Sequence, residues 1–204
     1  MARMIGVLGG TFDPPHLGHL ILAEFGRAAF SLDEVLWVLT PISPLKTDRV
    51  ISPLEHRLAM VETVVADHPS FSLSRVDIDR PPPYYAHGTM EALRKIDPQA
   101  ELIYLMGSDS LNDLPRWNQP QRFVEACDAL GVMMRPGAEY DAAQLEKDIP
   151  GIQDKIRFFE APFVGISGRD IRQRVRDGET IRYLVTDQVL AYIREQNLYV
   201  SGTS

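Results

Sequence analysis

The residues best equipped for chemistry lie together near the start of the chain, in the segment Gly9 to His19 that reads GGTFDPPHLGH. Two glycines after an apolar run let the backbone adopt conformations closed to other residues and let a phosphate approach the main-chain amides closely. His16 and His19 stand three positions apart, so both project from one side of the first turn of a following helix. That helix points the positive end of its dipole at the same place. An imidazole with an ordinary pKa of about 6.5 donates a hydrogen bond while neutral, and bound phosphate favours its charged form. These groups suit phosphoryl chemistry, in which one phosphate is aligned for in-line attack on another and developing charge is neutralised without a protein nucleophile. Other readings of the same residues are a plain turn at the glycines, and a metal pair or two solvated side chains at the histidines, with Asp13 as a further ligand. The joint occurrence of the glycines, Pro14, Pro15 and both histidines favours anion handling.

A loop of this kind needs a strand before it and a helix after it, and the chain supplies that alternation throughout. Strands are expected at Met4 to Leu8, Val35 to Leu39, Phe71 to Val76, Glu101 to Met106, Ala129 to Met134 and Ile156 to Phe159. Between them, Leu17, Leu20, Ile21, Phe25 and Ala28 recur at helical spacing. Ser52 is the expected cap of a second helix, with Pro53 at its first position, Glu55 three residues after the cap and Leu58, Val61 and Val65 buried. A short helix is expected over Thr89 to Ile96, another starting at Asn118 and Pro120, a third capped by Ser167 and closed by Asp177 and Gly178, and a last one from Asp187 to Gln196. The polar stretch Ala138 to Gln153 reads as a mobile excursion. The expected fold is α/β: a Rossmann-like, doubly wound parallel sheet with a small helical C-terminal subdomain. Residues 1–160 form the nucleotide-binding core and 161–204 the helical C-terminal part of the same domain.

Composition narrows the partners. The 204 residues carry 21 lysines and arginines against 28 acidic residues, a net charge of −7, which argues against a broad nucleic-acid surface while leaving room for a local basic pocket. Cys127 is the single cysteine, so disulfides within the chain and cysteine-based zinc clusters are excluded and a reducing compartment is indicated. No signal peptide or membrane span is evident, which makes the cytoplasm the expected location.

GGTFDPPHLGH resembles the signature of the HxGH nucleotidyltransferase superfamily. Over nearly its whole length the chain further resembles the bacterial nicotinate-nucleotide adenylyltransferases, through Leu45-Lys46, SRVDIDR at Ser74 to Arg80, GSDSLNDLPRW at Gly107 to Trp117, Arg135-Pro136-Gly137 and RYLVTDQVLAYI at Arg182 to Ile193. The resemblance implies an adenylyltransferase that joins ATP and nicotinate mononucleotide to give deamido-NAD and pyrophosphate, with Mg2+ entering alongside ATP. Carried over by position, Gly9, Gly10, Thr11 and Phe12 would line the nucleotide site, His16 and His19 would stabilise the transition state and Lys46 would add a cation. Gly107 and Asp109 would contact ribose or adenine, unless Asp109 merely caps the following turn, and Trp117 would stack on the pyridine ring, although the residues alone slightly favour a core tryptophan. Ser167 and Arg172 fall on the family's C-terminal phosphate motif at a helix N-terminus. Partners would be these small molecules, with no nucleic acid or membrane, and self-association is left open.

Two segments depart from the family pattern. In SGRDIR, Gly168 and Arg169 replace hydroxyl residues. In YYAHGT, Tyr85 and Thr89 match, but Ala86 stands where the family carries a hydroxyl that helps recognise the nicotinate carboxylate, and Gly88 stands for aspartate. His87 is also new there and reads as an exposed loop histidine. These departures keep two alternatives in view: nicotinamide mononucleotide as acceptor, and a nucleotide sensor that keeps the fold without turnover. A phosphopantetheine acceptor lacks support from the tryptophan motif, and a dinucleotide oxidoreductase lacks the GxGxxG spacing.

Overall fold

A strand in the middle of a parallel sheet is covered on both faces, so it must be apolar at nearly every position. The computed structural model, which describes residues 2–42, 51–135, 137 and 139–200, places such strands at β1 (Met4–Gly10), β2 (Glu34–Leu39), β3 (Phe71–Ser74), β4 (Glu101–Gly107), β5 (Ala129–Met133) and β6 (Ile156–Phe159). They form one six-stranded sheet in the order β3-β2-β1-β4-β5-β6, each neighbouring pair parallel. Alternate residues face opposite layers, as the two-residue period of a strand requires. Trp37, Leu39, Ile103 and Leu105 join one core, while Val38, Leu102, Tyr104 and Met106 join the other. The doubly wound sheet expected from the alternation of elements is the fold observed.

The first core is closed by α1 (Leu17–Phe30), α2 (Leu54–Ala66), α7 (Gly168–Arg176) and α8 (Asp187–Glu195), through residues such as Ala23, Met60, Ile171 and Val189. The second is closed by α3 (Ala86–Ile96), α4 (Ser108–Asp113), α5 (Pro120–Ala126) and α6 (Ala142–Asp148), through Met90, Leu111, Phe123 and Leu145. A 3-10 turn at Leu114–Arg116 leads into Trp117. The C-terminal residues thus pack into the same core as β1 and β2. Among the described residues no helix is long and apolar enough to cross a membrane.

Three local expectations need correction. Ser52 does not cap α2: Pro53 holds the cap position without a side-chain hydrogen bond, and Ser52 instead gives its backbone N–H to Asp13 at 3.2 Å. α3 begins at Ala86 rather than Thr89, so the departed segment YYAHGT is itself a helix N-terminus. The stretch from residue 139 to Gln153 contains α6, capped by the Asp141 side chain on the Gln144 N–H, and it buries Leu145, Ile149 and Ile152. Those three apolar residues, four and three apart, were the signal that the surrounding polarity masked.

Candidate active site

The strand order reverses at β1, which pairs with β2 on one side and β4 on the other, and the crevice beyond the carboxyl ends of β1 and β4 is where ligands collect in such sheets. A cavity of about 1110 Å3 opens there, slightly above the roughly 300–1,000 Å3 usual for one small ligand. Gly9, Gly10, Thr11, Phe12, His16 and His19 line it from one side, Gly107 and Asp109 from β4 and α4, Tyr85, Ala86 and Trp117 from a second wall, and Ser167 and Arg172 from α7. Every site residue expected from the sequence therefore meets in one cavity, except Lys46, which lies outside the described residues.

Several of these residues act differently from expectation. Gly9 and Gly10 complete β1 and do not take left-handed backbone. Gly9 is required by a close approach, since a Cβ there would stand 2.7 Å from the Tyr104 hydroxyl, and one on Gly10 would stand 3.0 Å from the Phe12 ring. The left-handed residue of the loop is Phe12, at φ 46°, an uncommon conformation for a bulky side chain. Its ring is buried, 5.1 Å from Trp37 and edge-on to His19 at 5.0 Å, so packing holds the backbone in place.

The histidines are organised by α1 itself. His16 is the N-cap, and its backbone N–H donates to Nδ1 of His19 at 3.2 Å. An accepting Nδ1 leaves the proton of neutral His19 on Nε2, so the ring has a donor for an anion. The two rings stack with centroids 3.7 Å apart and 25° between planes. Gly18, which sequence reasoning passed over, makes this stacking feasible, because a Cβ there would lie 3.1 Å from the His16 ring. The first amide of α1, on Leu17, donates to the carbonyl of Leu184, and so the RYLV tail braces the histidine helix.

The loop around Asp13 is tied down from three directions. Asp13 is buried and its carboxylate accepts from the Tyr199 hydroxyl at 2.8 Å and the Ser52 N–H, with Arg172 Nη1 3.7 Å away. Burial and the neighbouring Asp13 carboxylate push the Tyr199 hydroxyl well above its ordinary pKa. Arg172 also donates to the Asp13 carbonyl at 2.5 Å. This partnered carboxylate is a poor metal ligand, and no cluster of three ligating side chains occurs among the described residues. Such a donor set fits Mg2+ carried on phosphate oxygens and water, which is how that ion usually meets nucleotide sites.

Gly168 is explained by the same contacts: a Cβ there would lie 2.9 Å from the Asp13 carbonyl oxygen, so its absence lets the N-terminus of α7 reach the loop. Ser167 caps α7, accepting from the Asp170 N–H at 3.2 Å, and Arg169 lines the cavity. Arg57, another residue that sequence reasoning missed, is buried and donates to four carbonyls, those of Ser52, Thr11, Thr40 and Pro41, at 2.6–3.0 Å. Desolvation pushes its pKa down.

The second wall is equally ordered. Asp77 is buried and accepts from Thr89 Oγ1 at 2.8 Å and Arg80 Nε at 2.9 Å, while Arg80 also donates to the carbonyls of Pro83 and Tyr85. A Cβ on Gly88 would stand 3.5 Å from the Arg80 guanidinium, which Asp77 pairs with at 2.9 Å. Trp117 is half-buried: it packs on Phe123 at 5.2 Å and edge-on to Tyr104 at 6.2 Å while lining the cavity. Trp37 is the core tryptophan. Asp109 does not cap a turn; it pairs with Arg135 at 2.5 Å, and both line the cavity. His87 is buried on the first turn of α3 rather than exposed on a loop.

The cytidylyltransferase-like family model matches residues 7–174. A protein of Thermomicrobium roseum named "probable nicotinate-nucleotide adenylyltransferase" is 42% identical over 199 residues, covering 98% of this chain and 92% of that one. A Roseiflexus protein of the same name is 44% identical over 196 residues, covering 96% and 97%. The chain belongs to the nicotinate-nucleotide adenylyltransferase family. The fold is shared at much lower identity with a Plasmodium falciparum nicotinic acid mononucleotide adenylyltransferase complexed with NaAD, which matches with a TM-score of 0.75 at 19% identity over 97% of each chain. The family's glycine, histidine and tryptophan motifs are therefore the ones that converge on this cavity.

Proposed function

We propose that this protein transfers the adenylyl group of ATP to nicotinate mononucleotide, releasing pyrophosphate and forming deamido-NAD. The observation that carries the reading is the meeting, in one cavity, of a histidine pair at a helix N-terminus and a half-buried tryptophan on the opposite wall. A phosphate oxygen of the mononucleotide attacks the α-phosphorus of ATP, a new P–O bond forms, and the α–β bridging oxygen leaves with pyrophosphate. His16 and His19, at the positive end of the α1 dipole, stabilise the charge that develops on the α-phosphate. The N-terminus of α7 with Ser167, Arg169 and Arg172 faces the same cavity and suits the β- and γ-phosphates. Gly9, Gly10, Thr11, Phe12, Gly107 and Asp109 line the adenosine side, and Tyr85, Ala86 and Trp117 the mononucleotide side. When bound with the triphosphate, Mg2+ supplies further neutralisation of phosphate charge. Lys46 is assigned a supporting cationic role by its motif. The single cysteine, buried and with its thiol pKa pushed up by desolvation, suits a reducing cytoplasm.

Incubation with ATP, magnesium and each mononucleotide in turn, followed by pyrophosphate release, tests the reading. Release with nicotinate mononucleotide, coupled to a dinucleotide product, is expected. No release with any acceptor would leave only a nucleotide-binding role.

A further inference from the structure

His87 is not among the residues lining the cavity, yet its Nε2 lies 3.3 Å from Oδ1 of Asn118, the residue after Trp117. Asn118 does line the cavity, as do Tyr85 and Ala86 on the other side of His87. The His87 ring stacks on Tyr85 with centroids 5.7 Å apart, so it bridges the N-terminus of α3 and the Trp117 loop. Its Nδ1 is buried without a hydrogen bond, and its nearest carboxylate oxygen, on Glu91, is 4.0 Å away and held by Arg122. A buried N–H without a partner costs more than a bare ring nitrogen, so the proton of neutral His87 belongs on Nε2. That tautomer donates to Asn118 Oδ1 and leaves the Asn118 NH2 as the group presented to ligand.

We propose that His87 acts as a positioning residue that orients the Asn118 amide as a donor toward the ring substituent of the mononucleotide, favouring a carboxylate over a carboxamide. The inference rests on the adenylyl-transfer reading and deepens it, since this wall lacks the hydroxyl that the family pattern places at Ala86. A carboxylate brings a negative charge and accepts at either oxygen, whereas a carboxamide is neutral and can meet the Asn118 NH2 only through its one carbonyl oxygen, with its own NH2 turned away, so the donor favours the acid. Ile-type or Val-type apolar contacts could not make that distinction, because acid and amide have nearly the same shape.

The experiment compares kcat/KM for nicotinate and nicotinamide mononucleotides at saturating ATP and magnesium in four proteins. Asn118 is exposed, so its Asp variant should fold. Asn118→Asp replaces the donor by a carboxylate and is expected to lower the acid-to-amide ratio by roughly tenfold or more, mainly through KM of the acid, with KM for ATP unchanged. His87→Ala releases the Asn118 amide and should lower the same ratio partway. His87→Gln, whose Nε2 can still donate to Asn118, should keep it. An active Asn118→Asp enzyme with an unaltered ratio would overturn the assignment while leaving adenylyl transfer intact, as would a wild type that prefers the amide. Absence of product with both mononucleotides would overturn both readings.

Discussion

Replacing Arg57 by Met keeps an apolar stem of similar length and removes every donor that the guanidinium gives to the carbonyls of Thr11, Thr40, Pro41 and Ser52. At about 1 kcal/mol net for each hydrogen bond, four bonds amount to about 4 kcal/mol. Relief of the desolvation that pushes the Arg57 pKa down offsets part of that, so a loss of roughly 2–3 kcal/mol is expected. In a chain of 204 residues this lowers Tm by roughly 4–12 °C, since each kcal/mol corresponds to about 2–4 °C. The bonded carbonyls belong to the loop after β1 and to the segments after β2 and before α2, so the loop bearing the histidines should lose its position as well. A displacement near 1 Å costs on the order of a hundredfold in kcat/KM. Arg57→Lys, with three donors and no planar fork, should fall between the two in both measurements. Thermal unfolding and steady-state kinetics of the three proteins decide the matter. An Arg57→Met variant with wild-type Tm and wild-type kcat/KM would refute the clamp.

The remaining expectations are shorter. His19→Asn keeps an acceptor near Nδ1 for the His16 N–H but loses the Nε2 donor, so turnover should fall about a hundredfold to a thousandfold with little change in Tm; His19→Gln, which keeps a donor near Nε2, should retain more turnover and lose more stability, and the opposite order would invert the roles given to the two nitrogens. Gly168→Ala places a Cβ 2.9 Å from the Asp13 carbonyl oxygen, which must shift; a rise in KM for ATP is expected, and an unchanged KM would show that the α7 N-terminus tolerates retreat. Tyr199→Phe removes the hydrogen bond to Asp13 and should destabilise the protein at neutral pH. The Tyr199 hydroxyl is raised in the folded state, chiefly by burial, so its contribution is fully present below the ordinary value of 10.0 and is lost as pH rises above it. Denaturant melts of the two proteins should therefore converge at alkaline pH, and a gap that widens there would contradict the burial of that hydroxyl.

The sheet was legible because its strands are short, apolar on both faces and separated by helices with recognisable ends, and that pattern needs no tertiary information. The site was legible wherever its residues are contiguous, as in GGTFDPPHLGH. What escaped was non-local. Nothing around Arg57 distinguishes it from a surface arginine of an amphipathic helix, because its four acceptors are carbonyls of loops five to 46 residues away. Tyr199 meets Asp13 across 186 residues. His87 looked like a loop residue because the start of α3 lacks a capping side chain, Tyr85 holding the N-cap without a side-chain hydrogen bond. Gly168 looked like a loss because a missing hydroxyl is visible in a sequence, whereas a carbonyl that requires its absence is not.

These non-local contacts share one logic. An anion site made of amides and imidazoles works only if the donors are held in place before the charge arrives, since reorganising them during the reaction would add to the barrier. The loop after β1 buries Phe12, Pro14 and Pro15, but it also carries a residue in left-handed backbone and a buried carboxylate, which apolar packing alone does not hold. Its order is therefore imported: Arg57 holds Thr11, Arg172 and Tyr199 hold Asp13, and Leu184 holds the first amide of α1. Three of these four anchors come from beyond residue 160. The C-terminal helices consequently belong to the proposed phosphate site as much as to the core, and damage to the tail should reach the histidines through Asp13 and Leu17 before it unfolds the sheet.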